Sequence, residues 1–322
     1  MKIIIFATIF MLAGLLIFGT TVNNAKSWFI VGPISVQPAE FAKIALIMYL
    51  ASIYSKKQAY IDNFAQGVLP PLIITVSILA LIIMQPDIGT AAIIFLIASS
   101  IIISSGIKVK HLIYLGLAGL LFLAAITPTM ITDTRISRFT GAFQPFEAPE
   151  SSGYQLIQSY IAIAGGGITG EGLGQSVQKL GYLMEAHTDF IMAIIAEELG
   201  FLGVVIVIGM LAIIVLRGIY ISRKCEDSFG ALLAIGISFM IGIQAVINLG
   251  AISGLLPITG VPLPFVSYGG SSLTVMLFSM GLLNNIAMTV KRNQYESLRK
   301  DKDSNRFNQN IHRYRGGKSW QN

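Results

Sequence analysis

About eight long apolar stretches follow one another along this chain, near residues 3–22, 41–54, 68–84, 88–105, 112–131, 190–216, 229–252 and 271–290. A helix needs about 20 mainly apolar residues to cross the hydrocarbon core of a bilayer, so a chain with so many of them must fold with lipid as its main solvent. Composition agrees: of 322 residues, 54% are hydrophobic and 12% charged, against about 25% charged in ordinary soluble domains. Because lipid offers no hydrogen bonds, each span must satisfy its own backbone. The expected fold is therefore an all-α polytopic membrane protein with about eight transmembrane helices. Residues 3–22 follow a single lysine, Lys2, and no small-residue cleavage site precedes Lys26, so they read as a span and not a signal peptide. The stretch 41–54 is short and begins beside Glu40, so neighbouring helices are expected to shield its end.

Cytoplasmic loops collect lysine and arginine. Lys2, Lys56, Lys57, Lys108, Lys110, Arg217, Arg223, Lys224 and the C-terminal segment fall on one side if the spans alternate. That side is expected to be the cytoplasm, making this a multi-pass protein of the cytoplasmic (inner) membrane with 23–37, 85–87, 132–188 and 253–268 outside. The chain divides into a transmembrane domain, 1–290, with a large extracellular loop at 132–188, and a basic cytoplasmic tail, 291–322. The tail holds nine Lys/Arg and three Asp/Glu, which accounts for the whole formal charge of +6. It reads as a solvated charged segment, and no nucleic-acid partner is expected. Cys225 is the single cysteine, and His111, His187 and His312 are scattered, so no disulfide framework or metal site follows from spacing. No HExxH, P-loop or nucleophile-elbow motif is present, which leaves metalloprotease, nucleotide-driven pump and serine-hydrolase readings without support.

The segment 132–188 is too long to be a simple connection. Its apolar run 154–164, interleaved with Gln155, Gln158 and Ser159, reads as an amphipathic or re-entrant helix at the outer interface. The glycines that follow, from Gly165 to Gly174, permit close backbone approach and give weak support for a phosphate cradle. The segment ends in Glu185-Ala186-His187-Thr188-Asp189-Phe190, followed by Glu197 and Glu198. At 1.5 Å rise per residue, Glu197 is expected on roughly the face of Asp189, about 12 Å deeper. A carboxylate at membrane depth is costly and points to function. The competing roles are a structural hydrogen bond or ion pair for at least one of Glu197 and Glu198, and a helix N-terminal cap for Asp189. Glu40 and Lys43, spaced i, i+3, are expected to neutralise each other as a structural pair. Trp28 reads as an interfacial anchor. The final outer loop, 254–272, is rich in Gly and Pro yet apolar, so protein or a cavity must surround its backbone.

In order along the chain, Trp28, Gln37-Pro38-Ala39-Glu40-Phe41-Ala42-Lys43, Gln85-Pro86-Asp87-Ile88-Gly89-Thr90, and Gly153-Tyr154-Gln155 onward resemble the SEDS family (shape, elongation, division, sporulation) of FtsW, RodA and SpoVE. The resemblance continues through Glu185-Ala186-His187-Thr188-Asp189-Phe190-Ile191, Glu197-Glu198-Leu199-Gly200 and Leu256-Pro257 to Ser272, reaching about Val290. Residues 172–183 are more similar to the FtsW branch than to RodA. The family usually has ten spans, and counterparts of the first two are not seen in this sequence. Met184 stands where the family pattern has proline, which is expected to loosen the approach to Asp189.

The resemblance implies an inverting peptidoglycan glycosyltransferase that polymerises lipid II into β-1,4-linked glycan at the outer face, in cell division or cell-shape maintenance. Asp189 occupies the position implied for the catalytic base. Arg138 and Lys179, with Arg135, are the cations available to an undecaprenyl pyrophosphate leaving group, since arginine suits bidentate phosphate contacts. Gln155, Glu185, Ser267 and Ser271 join Arg138 and Lys179 as candidate substrate-binding residues, while Trp28, Glu40, Lys43 and Glu197 are structural or cavity-lining candidates. No cofactor is implied, and a divalent cation stays open. Expected partners are lipid II itself, a class B penicillin-binding protein transpeptidase, and divisome or elongation-machinery proteins. Two other readings stay open: a lipid II flippase with Glu40, Lys43 and Glu197 along its path, and a noncatalytic scaffold for a transpeptidase.

Overall fold

The computed structural model describes residues 1–22, 25–32, 34–58, 63–114, 116–117, 119 and 133–316. The expected spans become helices α1 (Lys2–Phe18), α2 (Pro38–Lys56), α3 (Leu69–Ile83), α4 (Ile88–Ser104), α7 (Ile191–Lys224), α8 (Ser228–Ile252) and α9 (Gly270–Gly316). Between α4 and α7, the segment 132–188 forms α5 (Asp133–Phe143) and α6 (Tyr154–Gly166). The chain is an all-α polytopic membrane protein. Residues Phe64–Ile83, Ile191–Lys224, Ser228–Ile252 and Gly270–Arg299 are long and apolar enough to cross a bilayer, while α1 and α4 are shorter apolar helices. The expected span 112–131 lies for the most part outside the described residues.

Local chemistry starts these helices. Pro38 opens α2, where its missing N–H costs nothing, with Glu40 against the positive helix end. The Asp87 side chain caps α4 by accepting from Thr90 N at 3.0 Å, and Asp227 caps α8 by accepting from Gly230 N at 2.9 Å. Helix α8 packs on α7, α2 and α4, and its buried face carries Leu233, Ile237 and Ile241. Small residues permit these close crossings: a Cβ on Gly218 of α7 would collide with Ser238, and one on Gly236 with Ile47 and Ile101. As expected for its short apolar stretch, α2 is shielded, with Glu40, Lys43, Leu46, Ile47, Leu50 and Tyr54 all buried.

Two expectations need correction. Residues 3–22 are not one helix: α1 stops at Phe18, and Thr20–Val22 (β1), Ala25–Val31 (β2) and Ile34–Val36 (β3) form an antiparallel ribbon. Trp28 sits in β2 opposite Thr20, half-buried in this ribbon. The run at 154–164 is a helix with two faces: Ser159 is fully buried and donates to Ile252 O at 3.2 Å, while Ile161 and Ile163 are exposed. Finally, α7 is not continuous. Gly200 at φ 65° and ψ −165° breaks it, and the part after the break, 201–224, still measures about 36 Å at 1.5 Å per residue.

That break explains the glycines of residues 165–174. Glu171 N and Gly172 N donate to the carbonyls of Glu197 and Glu198 at 2.9 and 3.0 Å. In return, Phe201 N and Leu202 N donate to Gly167 O and Ile168 O at 3.0 and 3.3 Å. Each such group, if left buried and unpaired, costs about 1–3 kcal/mol. The strands of backbone lie so close that a Cβ on Gly166 or Gly170 would overlap the carbonyls of Ala196 or Glu198. The glycines are there to plug a broken helix.

Helix α9 carries on past its apolar part into the basic segment, reaching Gly316. The loops gather at one end of the bundle. Lys26 N donates to Gln85 O, Gln37 N to Ser271 Oγ, and Tyr268 N to His187 O. We refer to this as the loop-rich end.

Candidate active site

Asp189 stands at the loop-rich end, two residues before α7 begins. It is not the cap of that helix. The cap position is Phe190, and no side chain bonds there, so the carboxylate is not engaged in helix termination. The turn leading to it is tight: Glu185 adopts φ 56°, and Thr188 N and Phe190 N both donate to Glu185 O, at 3.1 and 3.3 Å. Thr188 Oγ1 lies 3.1 Å from Asp189 Oδ1 and 2.7 Å from Glu185 Oε2. Its single proton serves one of these carboxylates at a time.

A half-buried carboxylate with so few donors resists ionisation. Burial pushes the Asp189 carboxyl up to about 6, opposed by its own backbone N–H and by the Thr188 hydroxyl, and assisted by the negative charge of Glu185. A group poised there accepts a proton readily near neutral pH, as a general base must.

The other candidates divide by what already holds them. Gln155, on α6, donates to Met184 O at 3.1 Å, so the residue preceding Glu185 is tethered even without a proline. Glu185 joins the Asp189 turn through Thr188. Ser267 is buried; its hydroxyl accepts from Leu263 N at 2.7 Å and donates to Thr188 O. Ser271 accepts from Gln37 N and donates to Ser35 O, at 3.1 and 3.3 Å. Both serines are thus committed to joining chain segments. Lys179 is paired with Glu198 instead of standing free for a pyrophosphate. Arg135 and Arg138 lie on α5, and their side chains fall outside the described ones.

Glu197 is likewise not a deep continuation of an Asp189 face, since Asp189 precedes the helix. Its carboxylate accepts from Ser176 Oγ, Val177 N (2.9 Å) and Gln178 N (3.4 Å). Together Glu197 and Glu198 pin residues 176–179 over the Gly200 break, the structural role weighed for at least one of them. The Glu40–Lys43 pair forms as the spacing predicts, with Nζ 2.7 Å from Oε1 and both residues at most 2% exposed. Glu40 Oε2 is buried with no protein donor. Among the described residues, no group of three or more His, Cys, Asp or Glu could hold a metal ion.

Sequence reasoning missed Asn248 of α8. It is 1% exposed, and its Nδ2 donates to Asp189 O and to Val261 O, both at 2.7 Å. The available signal was a polar amide inside an apolar span, which is costly unless bonded.

The structure thus defines a polytopic helical membrane protein with a sparsely partnered carboxylate beside a structured loop at one end of its bundle. The family model described as cell cycle protein, covering FtsW, RodA and SpoVE, matches residues 1–292. This chain belongs to that family. It is 52% identical over 309 residues to the probable peptidoglycan glycosyltransferase FtsW of Bacillus subtilis (strain 168), covering 94% of this chain and 76% of that one. Against stage V sporulation protein E of the same organism it is 42% identical, covering 84% and 73%. Among solved structures, a chain from a peptidoglycan synthase complex that coordinates polymerization and crosslinking matches with a TM-score of 0.73 at 30% identity, over 90% of this chain and 81% of that one. The rod shape determining protein RodA of Thermus thermophilus matches with a TM-score of 0.62 at 27% identity, over 88% and 76%.

Proposed function

We infer that this chain is a peptidoglycan glycosyltransferase acting in cell division or cell-shape maintenance, with division favoured by its 52% identity to an FtsW. The observation that carries the chemical reading is Asp189: a half-buried carboxylate with one side-chain donor, Thr188, which it shares with Glu185. The substrate is lipid II. Asp189 takes the proton from the 4-hydroxyl of the acceptor GlcNAc as that oxygen attacks the anomeric carbon of the donor MurNAc. The bond to undecaprenyl pyrophosphate breaks, and one direct displacement converts the α-linked pyrophosphate to a β-1,4 linkage. Since Lys179 is held by Glu198, the charge for the leaving group falls to Arg135 and Arg138 on α5, with a divalent cation able to arrive on the pyrophosphate. The loop-rich end faces out of the cytoplasmic membrane, and the Lys/Arg-rich end, with the 291–322 tail, faces the cytoplasm. Residues 1–290 are the catalytic membrane domain. A class B penicillin-binding protein transpeptidase is the partner that crosslinks the product, a pairing supported by the likeness to a chain from a synthase complex.

The test is a purified, full-length chain given lipid II in detergent or liposomes, with product scored as glycan that a muramidase digests. Polymer from the parent and none from Asp189→Asn is the expected result. Transfer of lipid II between leaflets without polymer would replace this reading with a flippase, and neither activity would leave a scaffold.

A further inference from the structure

Three consecutive carbonyls of the Asp189 turn are taken by partners that lie far along the chain. His187 O accepts from Tyr268 N at 2.9 Å, Thr188 O from Ser267 Oγ, and Asp189 O from Asn248 Nδ2 at 2.7 Å. The first two donors sit in the last loop before α9, and the third sits one turn from the end of α8. That loop is itself held by the same residues: Ser267 Oγ accepts from Leu263 N, and the Asn248 amide donates its other hydrogen to Val261 O at 2.7 Å. The backbone of Asp189 and the last loop therefore share one clamp. Its centre is a single –NH₂ group, which donates its two hydrogens to two carbonyls from one atom. The amide has one workable orientation, because turning it over would set Oδ1 against two carbonyl oxygens. Oδ1 as placed is buried and unpartnered, a cost the chain bears to keep the two donations.

We propose that Asn248 is a positioning residue for Asp189, fixing the backbone of the base to the last loop so that loop and base move as one body. This rests on Asp189 being the base. It touches no substrate and acts only through the placement of residue 189. Misplacing a catalytic group by about 1 Å costs up to about 100-fold in rate. The loss should appear in kcat and not in KM, because ground-state binding of lipid II does not pass through this contact.

The experiment uses the full chain with Asn248→Ala, which removes the donor, and Asn248→Asp, which keeps the shape but offers oxygen to both carbonyls. Polymerisation of lipid II gives kcat and KM, and hydrogen–deuterium exchange reports the backbone directly. The expected result is a 10- to 100-fold fall in kcat for Asn248→Ala, a larger fall for Asn248→Asp, KM unchanged within about twofold, and faster exchange confined to residues 185–190 and 260–268. A raised KM with kcat intact would overturn the proposal, as would parent-like rates or unchanged exchange in both segments. Should neither variant survive purification, Ser267→Ala removes the neighbouring donor to Thr188 O and must show the same pattern; parent-like kcat and exchange there overturn the shared clamp. If the parent itself makes no glycan, the enzymatic reading fails, while the exchange measurement still decides whether Asn248 fixes the Asp189 turn.

Discussion

Asp189 and Glu197 are carboxylates eight residues apart on either side of the start of one helix, and the fold treats them oppositely. Glu197 is filled: a hydroxyl and two backbone N–H groups of residues 176–178 point at it. Asp189 shares one hydroxyl with Glu185 while its backbone is tied down through its carbonyl. A carboxylate has room for about four hydrogen bonds. One whose capacity is spent on its own loop holds structure, and one with capacity left, on an immobilised backbone, can take up a proton. Glu197 is buried and Asp189 half-buried, and the donors each carboxylate receives separate structure from chemistry at this end of the molecule.

The largest effect that can break this comparison is on rate. Asp189→Asn keeps the shape and removes the basic charge, so lipid II polymerisation should fall about 10²- to 10⁴-fold, the usual worth of a general base, with no loss of thermal stability. Near-parent polymerisation by purified Asp189→Asn would put the base elsewhere. The Glu40–Lys43 pair, buried in α2, should respond in stability instead. Glu40→Gln leaves a buried lysine unpaired, which typically costs about 3–5 kcal/mol, and Glu40→Gln with Lys43→Met should recover part of it. Strictly additive losses in that cycle, read by thermal unfolding in detergent, would mean the two residues act separately. Glu197→Gln should come next, at about 1–3 kcal/mol for donors left short of an acceptor, with exchange faster at 174–180 and residual polymerisation proportional to folded protein. A Glu197→Gln variant that is fully folded but inactive would move Glu197 into the chemistry and erase the contrast.

What was legible in the sequence was what is local. That the chain is built of apolar helices follows from a count of apolar residues, though not where the first one ends, and the Glu40–Lys43 pair is a helix spacing, so both could be read without knowing any neighbour. The Asp189 position was visible through its motif. Illegible were contacts closed across the chain: Lys179 meeting Glu198, Asn248 reaching Asp189 O and Val261 O, and Ser267 reaching Thr188 O. The Gly200 break was hidden for a different reason. A glycine in an apolar run reads as a tolerated helix residue, and only the matching glycines of residues 166–172 reveal that the helix opens to receive another piece of backbone. The short ribbon at Thr20–Val36 was hidden by its company, since an apolar strand next to an apolar helix does not interrupt the hydropathy.

The smallest expected effect is also the one that tests the cause of the contrast. With its carboxyl pushed up to about 6, chiefly by burial, Asp189 should be half protonated near pH 6, so kcat/KM should fall to half its plateau there and about tenfold by pH 5. Stability must move the other way. The folded state holds its proton more tightly than the unfolded chain, whose carboxyl titrates near 3.8, so the penalty for an ionised Asp189 is complete above pH 6 and disappears as pH falls toward 4. Asp189→Asn, free of that penalty, should therefore unfold at a higher temperature than the parent at pH 7.5 and at the same temperature by pH 4. The Thr188 hydroxyl, which favours the charged form, gives the final control: Thr188→Val should move the acid limb of the rate profile above pH 6 while leaving the plateau in place. A profile that stays flat from pH 7.5 to pH 5 would show that Asp189 remains charged throughout, and its sparse set of donors could then not be what prepares it to accept a proton.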